Sequence, residues 1–243
     1  KEIAMKLFNL DSPLMQALGK MADLMWLNVL TLICCLPVIT AGASLTAMNY
    51  MALKIARNEE CYITKGFFKS FKENFRQATL IWLILLAAFA ILAGDFYIMW
   101  NSEGGFSKIL WGVIMAVAIM LVFTMMFVFP VQAKFANPIF RTLKNAFLMS
   151  LMQFPKTILM VIMYVIPAVL FFTVVQIMPI CMMFGLSVPA WASAKLYNKF
   201  FKGLEERTLA ANALADEEKE PEEDERIFKD ELDPTLTDKD VTK

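Results

Sequence analysis

Few residues of this chain could carry acid–base, metal or redox chemistry. The 243 residues include four cysteines and no histidine, so the side chain that most often serves as a general base is missing. Cys34, Cys35, Cys61 and Cys181 have no CxxC spacing, and we interpret them as small hydrophobic residues. P-loop, GxGxxG, HExxH and GxSxG motifs are absent from the sequence. We therefore predict no enzyme and no catalytic, cofactor-binding or metal-binding residue.

Asp95 is the one acid that lies within a long apolar segment. Ionisable residues inside membrane helices are functional candidates, because a charge in hydrocarbon is costly. Tyr97 and Trp100 follow closely, and such residues are typical of the boundary between membrane and water. Two interpretations stay open: a functional carboxylate within the membrane, or an acid near the external surface that reaches water.

Residues 36–44 predict a break in an otherwise apolar helix. Pro37 removes a backbone donor, and Gly42 loosens the backbone. Polar backbone groups freed at membrane depth must be satisfied inside the protein, for which the hydroxyls of Thr40 and Ser44 are suited. Either hydroxyl could also cap the following helix. Pro37, Thr40, Gly42 and Ser44 are therefore the candidate structural or functional break.

Two basic segments have the spacing of amphipathic helices that lie at a membrane surface. The first carries a cationic stripe and a separate aromatic stripe: Lys65, Lys69, Lys72 and Arg76; Phe68, Phe71 and Phe75. The second opens at Asn137–Pro138 and carries Arg141 and Lys144 beside a stripe of Phe and Leu. We expect the six cations to contact lipid headgroups or a partner protein. Nucleic acid is not an expected partner, because both segments lie between apolar runs.

The elements around these residues are those of a membrane protein. Hydrophobic residues make up 58% of the chain and charged residues 19%, against about 45–50% and about 25% in soluble domains. Uncharged or nearly uncharged runs cover residues 24–53, 77–94, 109–133 and 157–194, and a spanning helix needs about 20 such residues. The predicted fold is an all-α polytopic transmembrane bundle with two cytoplasmic amphipathic helices.

The predicted number of membrane helices is five or six. Helices are expected over residues 13–36, 77–100 and 108–132, and Pro179 is expected to divide the last run into 157–178 and 179–201. If residues 24–53 form a short hairpin, there are six helices and the N-terminus is cytoplasmic. If they form one kinked span, there are five. The hairpin agrees better with the positive charges of Lys1, Lys6 and Lys20.

Charge is distributed unevenly along the chain. Residues 1–204 have a net charge of +9 and residues 205–243 a net charge of −9. Because basic loops face the cytoplasm, residues 54–76, 134–156 and 195–202 are expected there, as is the C-terminus. Residues 1–202 are interpreted as the transmembrane domain, and residues 203–243 as an acidic cytoplasmic tail that is mostly disordered.

Two blocks of sequence resemble a known family. Residues 28–50, NVLTLICCLPVITAGASLTAMNY, resemble the signature of the YesL-like bacterial membrane proteins, and residues 67–78, FFKSFKENFRQA, resemble their second block. The resemblance covers residues 5–202. It implies no catalytic residues, but it implies a context, since such proteins are typically encoded beside carbohydrate ABC importers.

The resemblance implies an accessory subunit, for assembly or regulation, of a carbohydrate ABC importer in the bacterial cytoplasmic membrane. Its expected partners are membrane lipid, the importer permeases and the ATPase, and a homo-oligomer is left open. The first alternative is an independent transporter or channel for a sugar or another small molecule, with residues 37–44 at its site. The second is a membrane sensor or scaffold that acts through the tail.

Overall fold

The fold was analysed in a computed structural model, which describes residues 13–59, 62–101, 108–135 and 137–217. This part of the chain is helical and contains no strand. Its α-helices, in chain order, are α1 Pro13–Cys35, α2 Ala41–Ala56, α3 Ile63–Asn101, α4 Lys108–Lys134, α5 Ile139–Met152, α6 Phe154–Thr173, α7 Met178–Phe184 and α8 Ser187–Glu217. Short 3-10 turns, Val38–Thr40 and Val175–Ile177, precede α2 and α7.

Several of these helices are long and apolar enough to cross a membrane. Within the described residues four helices meet this condition, α1, α3, α4 and α6, and the pair Val175–Phe184 and Ser187–Ala210, bent by 53°, makes a fifth if it is one span. Large apolar side chains on them face outward, as Ile91 and Val113 do, which is the pattern of helices solvated by lipid. The prediction of an all-α polytopic membrane protein is confirmed.

The first two helices form an antiparallel hairpin. Near the start of α1, the Lys20 ammonium donates a hydrogen bond of 2.6 Å to the Asn58 side-chain oxygen, just past the end of α2. At the other end of the hairpin, the Ser44 hydroxyl donates to the Thr31 carbonyl at 2.9 Å. Of the two alternatives for residues 24–53, the structure therefore has the hairpin and not the kinked span.

The hairpin packs beside the N-terminal half of α3. Met51 of α2 lies against Gly66, and Gly42 lies against Ala78 and Trp82. The turn of the hairpin thus reaches Trp82, which is six residues past Arg76 and so about 9 Å further along α3. Beyond Trp82, α3 continues for about 28 Å. With 16 residues, α2 is shorter than the roughly 20 residues of a typical membrane span, so we expect the hairpin to enter the apolar layer and return.

This arrangement predicts the pattern of thiol labelling from the two sides of the membrane. In a background whose native cysteines are replaced by alanine, Ala17→Cys and Glu59→Cys are expected to react with a membrane-impermeant maleimide from the same side. Asn101→Cys should react only from the other side. Val38→Cys, at the apolar turn, should be protected from both. Reaction of Ala17→Cys and Glu59→Cys from opposite sides would contradict the hairpin.

The first amphipathic segment is not a separate helix, contrary to the prediction. Residues 65–76 are the beginning of α3, which runs without interruption from Ile63 to Asn101. Between Phe67 and Leu92 no Gly or Pro interrupts the helix, so it propagates from the basic segment into the apolar one. The second segment is a separate helix. α5 ends at Met152, and the backbone of the following Gln153 leaves the helical region. Pro155 comes two residues later, and its missing N–H cannot continue the hydrogen-bond ladder.

The break in the last apolar run is not at Pro179. Pro179 lies in the first turn of α7, where a missing N–H costs nothing because it would have no helical partner. The chain instead leaves the helix at Val174, after α6, and turns again at Gly185 between α7 and α8. The predicted helices 157–178 and 179–201 are therefore replaced by three helices, α6, α7 and α8.

One end of the bundle collects the basic residues. The Gln77 side chain donates to the Asn137 carbonyl, and the Gln132 amide donates to the Asn74 side-chain oxygen at 3.1 Å, so the start of α3 lies beside the end of α4. Arg57 and Asn198 join the end of α2 to α8. We call this end the basic end. It holds Lys20, Lys54, Arg57, Lys65, Lys69, Lys72, Arg76, Lys134, Arg141 and Lys195.

The tail prediction falls mostly outside the described residues. Helix α8 continues to Glu217, so residues 205–217, assigned to the tail by composition, are helical. A boundary between two compact units falls within α8, between Asn198 and Lys199. Residues 218–243 lie outside the described part, and their disorder stays a prediction.

Candidate functional site

The break after α1 is stabilised by hydrogen bonds from neighbouring side chains. Pro37 ends the helix and is followed by the single 3-10 turn Val38–Thr40. The Thr40 hydroxyl lies 2.6 Å from the Cys34 carbonyl and 2.9 Å from the Pro37 carbonyl. The Cys34 carbonyl belongs to the last turn of α1, where helical partners are missing, and the Pro37 carbonyl also accepts from the Thr40 backbone amide. Thr40 therefore satisfies freed carbonyls, as predicted.

Thr40 does not cap α2 with its side chain. It occupies the N-cap position with helical backbone angles and makes no side-chain bond to the first amides of α2. Its hydroxyl is turned back to α1 instead. Ser44 is already inside α2 and bonds across the hairpin to Thr31. The capping part of the prediction is wrong, because the freed carbonyls of α1 compete for the same hydroxyls.

Helix α3 also contributes a hydrogen bond to the break between α1 and α2. The Trp82 indole N–H donates to the Val38 carbonyl at 2.8 Å. Gly42 allows the close approach that this bond requires, since a Cβ there would lie 2.5 Å from both the Ala78 carbonyl oxygen and the Trp82 Cβ. The four predicted break residues are thus brought together with Trp82, which sequence reasoning did not single out. Their polar groups are used inside the protein.

A second set of hydrogen bonds fixes the turn between α7 and α8. Asn28 is fully buried, and its amide donates to the Met182 carbonyl at 2.8 Å. Its side-chain oxygen accepts from the Leu186 and Ser187 amides, each at 2.9 Å. Asn28 thus joins α1 to the turn between α7 and α8. One side chain of α1 satisfies three backbone groups where the last apolar run breaks.

Three cavities in the described bundle are lined mainly by apolar side chains. One of about 360 Å³ lies between α6, α7 and α8. Another of about 240 Å³ lies on the side facing α1 and shares Pro167, Cys181 and Gly185 with it. Neither lining contains a charged or carboxamide side chain. A third, of about 160 Å³, includes Asn49, whose amide already donates to Leu45 of its own helix. These cavities fit hydrocarbon better than a polar solute.

The six predicted contact cations are exposed at or near the basic end: Lys65, Lys69, Lys72, Arg76, Arg141 and Lys144. Lys69 approaches Glu73 of the next turn at 4.0 Å, an exposed pair of little energetic weight. On the opposite face of α3 the buried aromatic residue is Phe67, whereas Phe68 and Phe75 stay partly exposed. The cations are available to lipid headgroups or a partner, and that role stays a prediction.

Asp95 lies in the last turns of α3, at the end of the bundle opposite the basic one. Its side chain is exposed. Phe96 beside it stacks on Trp100 and meets the edge of Trp111 of α4 at a centroid distance of 5.2 Å. An aromatic cluster of this kind marks a membrane boundary. This placement agrees with an acid that reaches water, and the functional alternative is untested.

The described residues contain no cluster of three or more metal-ligating side chains. Cys34, Cys35 and Cys181 are free thiols, and Cys61 lies outside the described part. Sequence reasoning missed Arg57 and Asn198, whose side chains meet at 2.7 Å. A signal for them was present: Arg57 and Asn198 each follow an aromatic residue by seven positions and a lysine by three.

Comparison with known proteins adds one match. The family model described as a protein of unknown function, DUF624, matches residues 24–96, which include both sequence blocks, most of the α1–α2 hairpin and most of α3. No curated protein and no solved structure matches the chain. Over residues 24–96, the hairpin with its break and the helix that packs on it, the chain is similar to the DUF624 family.

Proposed function

We propose that this protein is an accessory membrane subunit, for assembly or regulation, associated with a carbohydrate ABC importer. The observation that carries the proposal is the resemblance of residues 28–50 and 67–78 to the YesL-like proteins, which typically accompany such importers. Both blocks fall inside the matched region 24–96. They build the hairpin, its break and the basic start of α3.

The chemistry of the bundle favours an accessory role over independent transport. A sugar is recognised by several convergent hydrogen-bonding groups. Here the polar groups of the break, Thr40, Ser44 and the Trp82 indole, are used in bonds to the backbone. The larger cavities are lined by apolar side chains. A subunit that packs against permeases needs apolar helix surfaces and no polar route for a solute.

The same proposal gives the orientation and the partners. The basic end faces the cytoplasm of a bacterial cell, in agreement with the positive-inside rule, and the C-terminus lies on that side. Apolar faces of the spanning helices contact the permeases. The exposed cations at the start of α3 and on α5 are then placed to contact the permeases or the ATPase from the cytoplasmic side.

The test is affinity purification of the tagged full-length protein from its native membrane in a gentle detergent, followed by mass spectrometry. Two permeases and an ATPase are expected in amounts comparable with the bait. A tagged polytopic protein of the same membrane, expressed at the same level, controls for co-solubilised neighbours.

A second measurement follows sugar uptake in a strain that lacks this protein. We expect uptake by the associated importer to fall and to return when the gene is restored. Recovery of the protein alone, together with unchanged importer assembly and uptake in the deletion strain, would overturn the proposal.

A further inference from the structure

Helix α6 is anchored at its beginning and loosely packed along the rest of its length. Of its 20 residues, all of which are described, the buried ones are Thr157 and Met160, in the first two turns. The ring of Phe154, in the first turn, also packs edge-on against Phe123 of α4 at a centroid distance of 5.6 Å. From residue 161 onward, no residue of this helix is buried. The second half of α6 is therefore the part that the bundle constrains least.

Cavities flank this second half on two sides. The cavity of about 360 Å³, beside α7 and α8, is lined by Met163, Ile166 and Leu170 of α6. The cavity of about 240 Å³ lies towards α1, and Pro167 lines both. The polar contact described between this half of α6 and α7 is a weak one, from the Cys181 thiol to the Pro167 carbonyl at 3.7 Å. Side chains that border a void lose dispersion contacts, so the second half of α6 has room to move and little that holds it.

The joint between α5 and α6 is a single non-helical residue, Gln153, with φ −112° and ψ 37°. Pro155 follows, and it has no N–H to continue the hydrogen-bond ladder. The Thr157 hydroxyl crosses the joint, where it lies 2.9 Å from the Ser150 carbonyl and 3.0 Å from the Gln153 carbonyl. A proline beside a non-helical residue is a point at which helices change direction, and the bonds of Thr157 hold that point together.

The Gln153 side chain is buried at this joint and unpaired. Only 7% of the residue is exposed, and within the described part of the chain neither its side-chain nitrogen nor its side-chain oxygen forms a hydrogen bond. The Phe123 ring, against which the first turn of α6 packs, belongs to the charge-free part of α4, so water is scarce at this depth. An unpaired buried carboxamide destabilises the arrangement that contains it. The hydroxyl oxygens of Ser150 and Thr157 can each accept a hydrogen bond from its amide when the joint turns.

We propose that α6 is a rocking helix with two orientations. It pivots about the joint at Gln153 and Thr157, and its second half moves between the position described above and one in which it fills the cavity beside α7 and α8. In the second orientation the void closes, and the turned joint gives the Gln153 carboxamide a hydrogen-bond partner. A molecule that binds the exposed Arg141 and Lys144 on α5 acts on the joint through a single helix and can shift the balance between the orientations. The inference concerns this chain alone and does not depend on the importer.

The test is the distance between two spin labels, measured by double electron–electron resonance on the full-length protein in lipid nanodiscs. The native cysteines are replaced by alanine, and one label is attached at Asn101→Cys, at the end of α3. With the second label at Phe172→Cys, an exposed position in the last turn of α6, we expect two distance populations. With the second label at Ile158→Cys, beside the pivot on the same helix, we expect one. A single population for both pairs, or two for both, would overturn the proposal.

Two variants separate the proposed rocking from general flexibility of α6. Gln153→Met keeps the length of the side chain and removes the unpaired carboxamide. The second population should then fall about tenfold relative to the first, which corresponds to about 1.4 kcal/mol, within the range for one unpaired buried polar group. Ala192→Leu places a larger side chain in the lining of the cavity beside α7 and α8, and it should suppress the same population by occupying the space that α6 enters.

Each variant has a control with the same substitution elsewhere. Gln77→Met changes a glutamine of α3 whose amide donates to the Asn137 carbonyl, and Ala87→Leu changes an exposed alanine of α3. Both controls should keep the two populations of the Phe172→Cys pair. A second population that persists in Gln153→Met and in Ala192→Leu would contradict the rocking helix, and so would its equal loss in the controls.

Discussion

Asn28→Ala is expected to lower the free energy of unfolding by about 2–3 kcal/mol, because a buried donor or acceptor left without a partner costs about 1–3 kcal/mol. The variant loses three hydrogen bonds at once, one to the Met182 carbonyl and two from the Leu186 and Ser187 amides. These groups lie at the turn between α7 and α8, where the helix cannot satisfy them. No water replaces the amide within an apolar layer.

The measurement is reversible unfolding in mixed detergent micelles, followed by circular dichroism. Asn49→Ala is the matched control, since the Asn49 side-chain amide donates to the Leu45 carbonyl within the same helix. The control should lose about 0.6 kcal/mol, the typical value for one hydrogen bond within a membrane. Hydrogen exchange adds a local reading: the amides of Leu186 and Ser187 should exchange faster in Asn28→Ala. Equal losses in both variants would show that Asn28 does not hold the turn.

The Asn28 contacts also show why some of this site could not be predicted. Its position in an apolar run indicates that it must find a partner, and that much follows from the sequence. The partners lie more than 150 residues away along the chain. They are backbone groups that become available only because the chain turns at Gly185, after α7, and does not break at Pro179. Side-chain type predicts the need for a bond, whereas only the three-dimensional packing determines which group accepts it.

Helix boundaries likewise depend partly on local sequence and partly on three-dimensional packing. The run 109–133 contains no charge, and α4 covers it closely, because run length in lipid is a direct physical requirement. Proline is a weaker signal: Pro37 ends a helix, whereas Pro130 and Pro167 lie inside α4 and α6. The difference lies in the neighbours, since Thr40 and Trp82 satisfy the backbone groups that Pro37 releases. Such neighbours come from other helices and are not visible in a local window.

The hydropathy of residues 24–53 likewise could not predict the depth of the α1–α2 hairpin. Residues 24–53 are apolar enough to suggest one or two spans, and the charges favoured two. What limits the hairpin is its register against α3, with Met51 beside Gly66 and Gly42 beside Trp82. Leu36, Val38 and Ile39 at the turn are exposed, as expected for side chains in contact with acyl chains. The composition is that of a span, while the packing is that of a hairpin that returns.

Gly42→Ala is expected to destabilise the protein by about 1–3 kcal/mol, the usual cost of overpacking a close contact. The added Cβ would lie 2.5 Å from the Ala78 carbonyl oxygen and 2.5 Å from the Trp82 Cβ. Neither atom belongs to the flexible end of a side chain, so α2 and α3 must move apart. That movement also lengthens the 2.8 Å bond from the Trp82 indole to the Val38 carbonyl, which closes the break.

Gly94→Ala is the control, because a Cβ at Gly94 of α3 would meet nothing within 4 Å. By helix propensity alone, this change should leave stability unchanged or raise it by up to about 1 kcal/mol. Both variants are compared by unfolding in the same micelles, with Trp82 fluorescence in a background whose other tryptophans are phenylalanine. Only Gly42→Ala should shift the Trp82 emission. Trp82→Ala should not rescue it, since the Ala78 carbonyl and the Cβ at position 82 remain. A stable Gly42→Ala protein with unchanged emission would show that the hairpin does not need this close approach, and the proposed depth of its turn would be wrong.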